Sequence, residues 1–324
     1  MKLGIVIVNY KTPELTIECL QSLVVEHEFL DFKVIVVDND SQDGSFDAIQ
    51  SAIEQRNWSG WVNVIASSVN GGFSYGNNIA IRHYFSSNNP PEFICLLNPD
   101  TYIREGAMGK LTQFMRNNPS VGICGSRIEN SDGSVQLSSF KFHSWLTELD
   151  RGFSFGVLTR LLAPWITSEQ ISDNAVKTDW VSGACMMIRS EVFNQIGLFD
   201  EAYFMYYEET DFCLHANRAG WECWYVPESR IVHYVGQSSG ITGKVTMKRM
   251  PNYWFDSRRR YFLKNYGIFH AVLADLFWLI GFFTWRVRNS VQRKVHNYPP
   301  RLLRDTFQNS FFCRGFGVKG TRNK

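Results

Sequence analysis

The stretch Ile94-Cys95-Leu96-Leu97-Asn98-Pro99-Asp100, an unbroken apolar run that stops at a carboxylate, decides the fold, and Val34-Ile35-Val36-Val37-Asp38 upstream has the same form. Apolar runs this short, with no polar alternation, belong to strands buried on both faces of a parallel sheet. Ligands of open α/β sheets collect just past the carboxyl ends of such strands. Two acids at two strand ends therefore suggest a site for a nucleotide and its metal. Taken singly, each acid is better explained as the start of a turn, a place Asp often occupies.

Outward from these runs, the order strand, polar turn, helix repeats from Leu3 to about Arg127. The pattern predicts strands at 3–8, 33–37, 62–66, 93–97 and 121–124, and helices at 13–26, 45–56, 76–84 and 105–117. Such alternation requires crossover connections, hence a Rossmann-like α/β fold with a mainly parallel sheet and flanking helices. Residues 129–179 lack a clear period and read as loops and short helices over the sheet. Beyond them, 180–188 reads as a strand, 190–196 as a short helix closed by Gly197, 204–218 as a helix-like run with three acids, and 224–226 and 231–235 as closing strands.

At 324 residues the chain is long enough for a large α/β domain with a C-terminal appendage. We expect a catalytic domain over 1–240 and a helical, membrane-associating segment over 241–324. A net charge of +2 supplies no field for nucleic acid, and no run of basic residues precedes Arg258-Arg259-Arg260. The seven cysteines are odd in number, form no Cys-x-x-Cys pair and mostly sit in apolar stretches, as reduced core thiols do. That pattern favours the cytoplasm. The opening residues 1–8 are too short for a signal-peptide core and fit a first buried strand.

The last ninety or so residues change character. Residues 268–285 are interrupted only by His270, Asp275 and Thr284 as polar side chains, and Arg286, Arg288, Arg293 and Lys294 follow. As a helix the run would be about 27 Å long, near the lower limit for crossing a bilayer. Asp275 near its middle counts against crossing. The apolar residues occupy almost the whole helical wheel, so the helix has no clean polar face. Three readings stay open: a helix in the membrane interface with its cations on anionic lipid, a buried or subunit-contact helix that would imply a homo-oligomer, and a span.

Four constellations carry chemistry. Asp38, followed by Asn39-Asp40-Ser41, can accept a hydrogen bond from a base imide or a ribose hydroxyl, or simply form a turn before a helix capped by Ser45. Asn70-Gly71-Gly72-Phe73-Ser74-Tyr75-Gly76-Asn77-Asn78 opens a helix, where free N–H groups favour a diphosphate. It matches neither the dinucleotide fingerprint nor a Walker loop. Asp100 is the candidate ligand of a hard divalent cation, with His233 as a nitrogen ligand that suits Mn2+ as well as Mg2+; a lone His on an apolar strand is otherwise a satisfied core residue. In Glu208-Glu209-Thr210-Asp211, three acids repel one another beside aromatic residues, so one can have a raised pKa fit for taking a proton, or all can serve the helix dipole. Helical spacing puts Glu208 and Asp211 on one face and Glu209 elsewhere.

In this order the elements resemble the family 2 glycosyltransferases, in particular the rhamnosyltransferase-like branch that builds bacterial surface polysaccharides. The residues carrying the resemblance are Ile5-Val6-Ile7-Val8-Asn9-Tyr10, Val36-Val37-Asp38-Asn39-Asp40-Ser41, Asn70-Gly71-Gly72-Phe73 with Gly76-Asn77-Asn78, and Leu96-Leu97-Asn98-Pro99-Asp100. To these are added Ser182-Gly183-Ala184 with Ile188, Tyr207-Glu208-Glu209 with Asp211, and His233 with Gly236 and Ser238. The resemblance covers about residues 3–240 and stops short of the tail.

It implies a glycosyltransferase A fold, a nucleotide-sugar donor and inversion by single displacement. Asn9, Asp38, Asp40, Asn70, Gly71, Gly72, Asn77 and Asn98 would bind the donor, Asp38 on the pyrimidine. Asp100 and His233 would hold Mg2+ or Mn2+, and Glu209, with Glu208 and Asp211 beside it, would supply the base. Two positions depart from the family pattern: Glu209 stands where Asp is common, and Asn98 stands where the metal motif has its first carboxylate. The resulting expectation is an enzyme peripheral to the inner face of the cell membrane. It would move rhamnose from dTDP-rhamnose onto a lipid-linked glycan. A UDP-hexose donor is the alternative, and a non-catalytic nucleotide-sugar-binding scaffold subunit is the rival from another class.

Overall fold

The computed structural model describes residues 2–166, 172–234, 248–293 and 298–317. Val235, Gly236, Ser238 and Lys294, invoked above, lie outside the described residues. The chain forms two compact units. One is Met1–Phe140, Glu169–Glu201 and Phe212–Ser239; the other is Lys141–Ser168, Ala202–Asp211 and Gly240–Lys324. Two inserted segments thus group with the C-terminal part, which a single division at residue 240 does not anticipate.

The first unit is built on β1 (Leu3–Asn9), β2 (Phe32–Asp38), β3 (Val62–Ala66), β4 (Phe93–Leu97), β5 (Thr101–Ile103), β6 (Val121–Glu129), β7 (Val135–Gln136) and β8 (Ser139–Phe140). It continues with β9 (Val176–Thr178), β10 (Trp180–Val181), β11 (Cys185–Arg189) and β12 (Glu222–His233). Its helices are α1 (Pro13–Phe29), α2 (Ser45–Gln55), α3 (Gly72–Phe85) and α4 (Ala107–Asn117), and later α7 (Ser190–Ile196) and all but the first turn of α8 (Glu208–Arg218).

The main sheet runs β3-β2-β1-β4-β11-β6-β12-β5, with β7 on β6 and β9 on β12. The left half is parallel, with Asn9 opposite Asp38 and Asp38 opposite Ala66 at the strand ends. Both alternating sets of the central strands are buried: Leu3, Ile5 and Ile7 on one face, Val6, Ile35, Ile94 and Leu96 on the other. Double coverage is why these strands show no polar alternation.

The right half departs from the expected pattern. β11 runs antiparallel between β4 and β6, and β5 runs antiparallel on β12. The strand expected over 180–188 is two, β10 and β11, broken at Ser182-Gly183-Ala184. The two closing strands are one, β12, whose pairing with β6 shifts between Val226 and Arg230. A bulge absorbs the polar Pro-Glu-Ser insert without ending the ladder. The helix expected from Gly76 starts at Gly72, so the glycine-rich motif is a first helical turn. Residues 129–179 include short strands and two helices.

The second unit contains α5 (Trp145–Phe153), α6 (Gly156–Leu162), α9 (Asn252–Val291), α10 (Leu302–Asn309) and α11 (Phe311–Arg314). α9 is two helices joined at Gly267, whose φ of +77° breaks the helix where the sequence turns from basic to apolar. α5 packs closely along it because Gly152 and Gly281 have no side chain: a Cβ on Gly281 would lie 2.6 Å from the Phe153 nitrogen. Asp275 is fully buried. Its Oδ1 pairs with the Arg258 Nη1, and its Oδ2 accepts the Phe311 N–H at 2.7 Å. Arg258 also donates Nε (3.0 Å) and Nη2 (2.7 Å) to one oxygen of buried Glu148. The acid that counted against crossing a membrane is here one member of a buried ion cluster.

Candidate active site

In the first unit, the parallel register brings the ends of β1 and β2 together, and their side chains lock. Asn9 donates Nδ2 to Asp38 Oδ1 at 2.7 Å, while its own Oδ1 accepts from Thr16 Oγ1 at 3.0 Å. Ser41 adds Oγ to the same Asp38 oxygen at 2.6 Å and its N–H to Oδ2 at 3.2 Å. Asp38 is thus a buried carboxylate with fixed orientation. Three of its roughly four acceptor positions are taken, which leaves one on Oδ2 for a ligand donor. Asp40 adopts φ +60° and accepts from Gln42 at 2.9 Å.

Asn39 is a residue the sequence reading did not single out. Its Nδ2 donates to Asn70 Oδ1 and to the Gly72 carbonyl, both at 3.1 Å, so it ties the end of β2 to the glycine-rich turn. Its buried Oδ1 has no hydrogen-bond partner among the described residues, an open acceptor between the two segments expected to hold the nucleotide. The only advance signal was its place between Asp38 and Asp40. Gly72 has φ +86°, and Gly76 lets α3 approach β1, since a Cβ there would meet Val8 at 2.7 Å. Gly71 is crowded by the Tyr75 ring. Asn77 turns back to donate to the Phe73 carbonyl at 2.9 Å, and Asn78 bonds the Phe199 backbone and Glu201. Both amides are engaged within the protein.

β5 reverses the chain after Asn98-Pro99-Asp100 and pairs Thr101 with His233. That pairing, reinforced by the Tyr234 N–H on the Asp100 carbonyl at 2.9 Å, brings buried Asp100 beside His233, Oδ1 to Nε2 at 3.3 Å. Asn98 Nδ2 lies 3.4 Å from the same ring nitrogen. Neighbouring ligands of one octahedral Mg2+ or Mn2+ sit about 3 Å apart, so the carboxylate oxygen and imidazole nitrogen fit two positions around one cation. Among the described residues no three or more His, Cys, Asp or Glu are grouped so as to hold a metal ion by themselves. Remaining positions would fall to phosphate and water oxygens, the usual arrangement for Mg2+ in phosphate chemistry.

In the second unit, Tyr206 (φ +72°) and Tyr207 (φ +69°) both adopt left-handed conformations just before α8. Two consecutive bulky residues in that region are strained, and such strain persists where packing over-determines it. Here the Tyr207 ring is enclosed by His143, Trp254 and Tyr261. The strained pair feeds directly into the acids. Glu208 is buried, and its Oε2 has no hydrogen-bond partner among the described residues. Burial, then repulsion from Glu209, pushes its carboxyl well above the usual range, so the neutral acid is favoured.

Glu209 is only half-buried. Asp211, one turn on, accepts from Tyr203 Oη at 3.1 Å, Lys264 Nζ at 2.7 Å and Asn265 Nδ2 at 2.6 Å. As helical spacing requires, Glu208 and Asp211 point inward together and Glu209 does not.

The sequence profile described as Glycosyltransferase like family 2 matches residues 2–261. An N-acetylglucosaminyl-diphospho-decaprenol L-rhamnosyltransferase of Mycobacterium tuberculosis is 32% identical over 154 residues, 46% of this chain and 49% of its own length. A hexosyltransferase of low-salt glycan biosynthesis from Haloferax volcanii is 32% identical over 218 residues, 67% of this chain and 62% of its own. The chain thus spans about half to two thirds of the length of these relatives. A mannosyltransferase from Pyrobaculum calidifontis, solved with GDP-Man and Mn2+, superposes with a TM-score of 0.51 at 14% identity, covering 95% of this chain and 69% of that one. That likeness concerns the fold.

Proposed function

The chain belongs to glycosyltransferase family 2, and on that premise we propose that it is an inverting glycosyltransferase that moves a sugar from a nucleoside diphosphate to a hydroxyl of a lipid-linked glycan. The approach of buried Asp100 to half-buried His233 at the edge of the sheet is the observation that carries this reading. The donor is dTDP-rhamnose, in line with the mycobacterial relative named for L-rhamnosyl transfer. A UDP-hexose is the second reading, in line with the archaeal relative named a hexosyltransferase. The enzyme works at the inner face of the cell membrane, where a lipid-linked acceptor is presented.

Asp38 offers its remaining acceptor position to the pyrimidine imide, and Asn39, Asn70 and Gly71 line the nucleotide, with the Gly72 N–H holding Asn70 in place at 3.1 Å. Asn9 and Asp40 keep that end of the sheet in shape. Asp100 and His233, with Asn98 beside them, would hold Mg2+ or Mn2+, which when bound offsets the charge of the departing diphosphate. Glu209, the accessible acid, takes the proton of the acceptor hydroxyl as its oxygen attacks the anomeric carbon opposite the leaving group, which inverts that centre. Glu208 stays neutral beside it, and Asp211 is a positioning residue for their turn.

The test is release of nucleoside diphosphate from a panel of nucleotide sugars, with and without acceptor glycan. Release from dTDP-rhamnose should lead, and should vanish in Asp100→Ala and in excess chelator. Glu209→Gln should slow transfer by roughly 10²–10⁴-fold. Full activity in chelator would overturn the metal role, and no release from any donor would overturn the enzyme in favour of a binding subunit.

A further inference from the structure

The helix that follows Gly267 divides lengthwise. Phe269, Leu276, Ile280, Phe283, Val287 and Val291 are all exposed, from 37% at Leu276 to 80% at Val291. On a helical wheel they fall within about 80° of one another, a stripe about 33 Å long. The opposite face, Ala271, Ala274, Trp278, Phe282 and Trp285, is buried. A contiguous apolar stripe of this length on a folded surface marks a contact site.

We propose that this stripe is an in-plane docking face for an anionic lipid bilayer, with the helix lying in the interface and not crossing it. The proposal deepens the reading of a membrane-lipid acceptor by naming the surface that meets the membrane. Charge selects the occupant. Arg286 and Arg288 flank Val287 on either side of the stripe, and Arg293 follows. Between residues 268 and 293 the sole acid is Asp275, buried against Arg258. Cations at the rim of an apolar stripe match anionic headgroups over an acyl layer. A second copy, whichever way its stripe ran, would offer these cations no exposed carboxylate, since Asp275 is the sole acid of this stretch and is buried.

Crossing is opposed by the buried face. A span would have to carry the Glu148–Arg258–Asp275 cluster into hydrocarbon or tear the helix from α5. α6, tethered to this helix, is exposed too. None of its residues is buried, and Val157 and Leu161 are 56% and 68% exposed. Arg288 joins α6 to the helix by donating to the Ser154 carbonyl at 2.8 Å with its guanidinium over the Phe155 ring at 5.5 Å.

The full chain should co-sediment with phosphatidylglycerol vesicles, weakly with phosphatidylcholine vesicles, and less as salt rises. Ile280→Ser/Phe283→Ser/Val287→Ser, at exposed positions, should cut that binding at least tenfold while melting temperature and donor hydrolysis hold. Arg286→Gln/Arg293→Gln should cost about fivefold per charge on anionic vesicles and little on neutral ones. Alkaline carbonate should release the protein from membranes. Vesicle binding unchanged by the serine variant, retention in the carbonate pellet, or a dimer that the serine variant dissolves with vesicle binding intact would each overturn the proposal. Loss of donor hydrolysis with normal vesicle binding would instead sink the catalytic reading alone.

Discussion

Replacing Asp211 by Asn separates a residue that holds the acidic turn from one that takes part in the chemistry. Its Oδ1 accepts from Tyr203 and Asn265 and its Oδ2 from Lys264. An Asn amide can keep the first two by turning its oxygen toward them, and its NH2 then meets the Lys264 ammonium, donor against donor. What is lost is one charge-assisted hydrogen bond, about 1.5–3 kcal/mol. The lower part of that range applies, because the Lys264 side chain is 29% exposed and water recovers part of its solvation.

A loss of about 2 kcal/mol should lower the melting temperature by about 3 °C in a chain of 324 residues. Lys264→Met should give a similar loss, and the double variant less than the sum, since both remove the same bond. In transfer assays, Asp211→Asn should reduce kcat far less than Glu209→Gln. An unchanged melting temperature together with a rate loss equal to that of Glu209→Gln would refute the positioning role and place Asp211 in the chemistry.

Arg258→Met removes the cation shared by buried Glu148 and Asp275, leaving Glu148 the Arg151 ion pair and Asp275 the Phe311 N–H, and should cost about 3–5 kcal/mol by urea denaturation, whereas Glu148→Gln/Arg258→Met/Asp275→Asn should recover much of it; a triple variant weaker than the single one would contradict the cluster's assigned energetics. Glu208 titrates higher in the folded protein than in the unfolded chain, so its contribution is intact below about pH 4.5 and is lost as pH rises toward the folded value. Glu208→Gln should therefore melt higher than the parent near pH 7 and level with it near pH 4, and an equal gap at both would count against a neutral Glu208. His143, pushed down to about 3 by burial and then by the Arg151 and Arg258 charges, stays neutral when folded. Its contribution is full above about pH 6.5 and falls as pH drops from there toward 3. His143→Phe should flatten the acid limb of the stability profile over that window, and an unchanged limb would exclude His143 as its source.

Strands β1 to β4 were legible almost to the residue, since the apolar runs of β1, β2 and β4, buried on both faces, and the alternation of edge strand β3 are signatures that need no knowledge of neighbours. Asp38 and Asp100 were visible as acids ending such runs. β5 was not visible: Thr101-Tyr102-Ile103 has no strand pattern of its own and is held by pairing with β12. The Asp100–His233 approach, between residues 133 positions apart, came only from the family resemblance until that pairing supplied its cause. Asn39 was passed over because its value lies in reaching Asn70 and Gly72, a contact between two crossover loops.

The acidic turn and the tail draw the line most clearly. Spacing alone put Glu208 and Asp211 on one helix face. That Glu208 is neutral follows from desolvation and from Glu209, and that Asp211 is fixed in place follows from Lys264, Asn265 and Tyr203. The run after Gly267 showed an apolar helix with one acid, and its wheel offered no way to tell buried face from exposed. That division came from α5, which reaches the helix through Gly152 and Gly281, and from Arg258, which gives Asp275 its partner. By itself, then, the sequence determined the strands, the acids at their ends and the helical character of the tail, because backbone geometry and side-chain periodicity are local properties. The neutral state of Glu208, the approach of Asp100 to His233 and the outward face of the tail helix were decided only by the tertiary structure, because solvation and ion pairing depend on what the fold brings alongside.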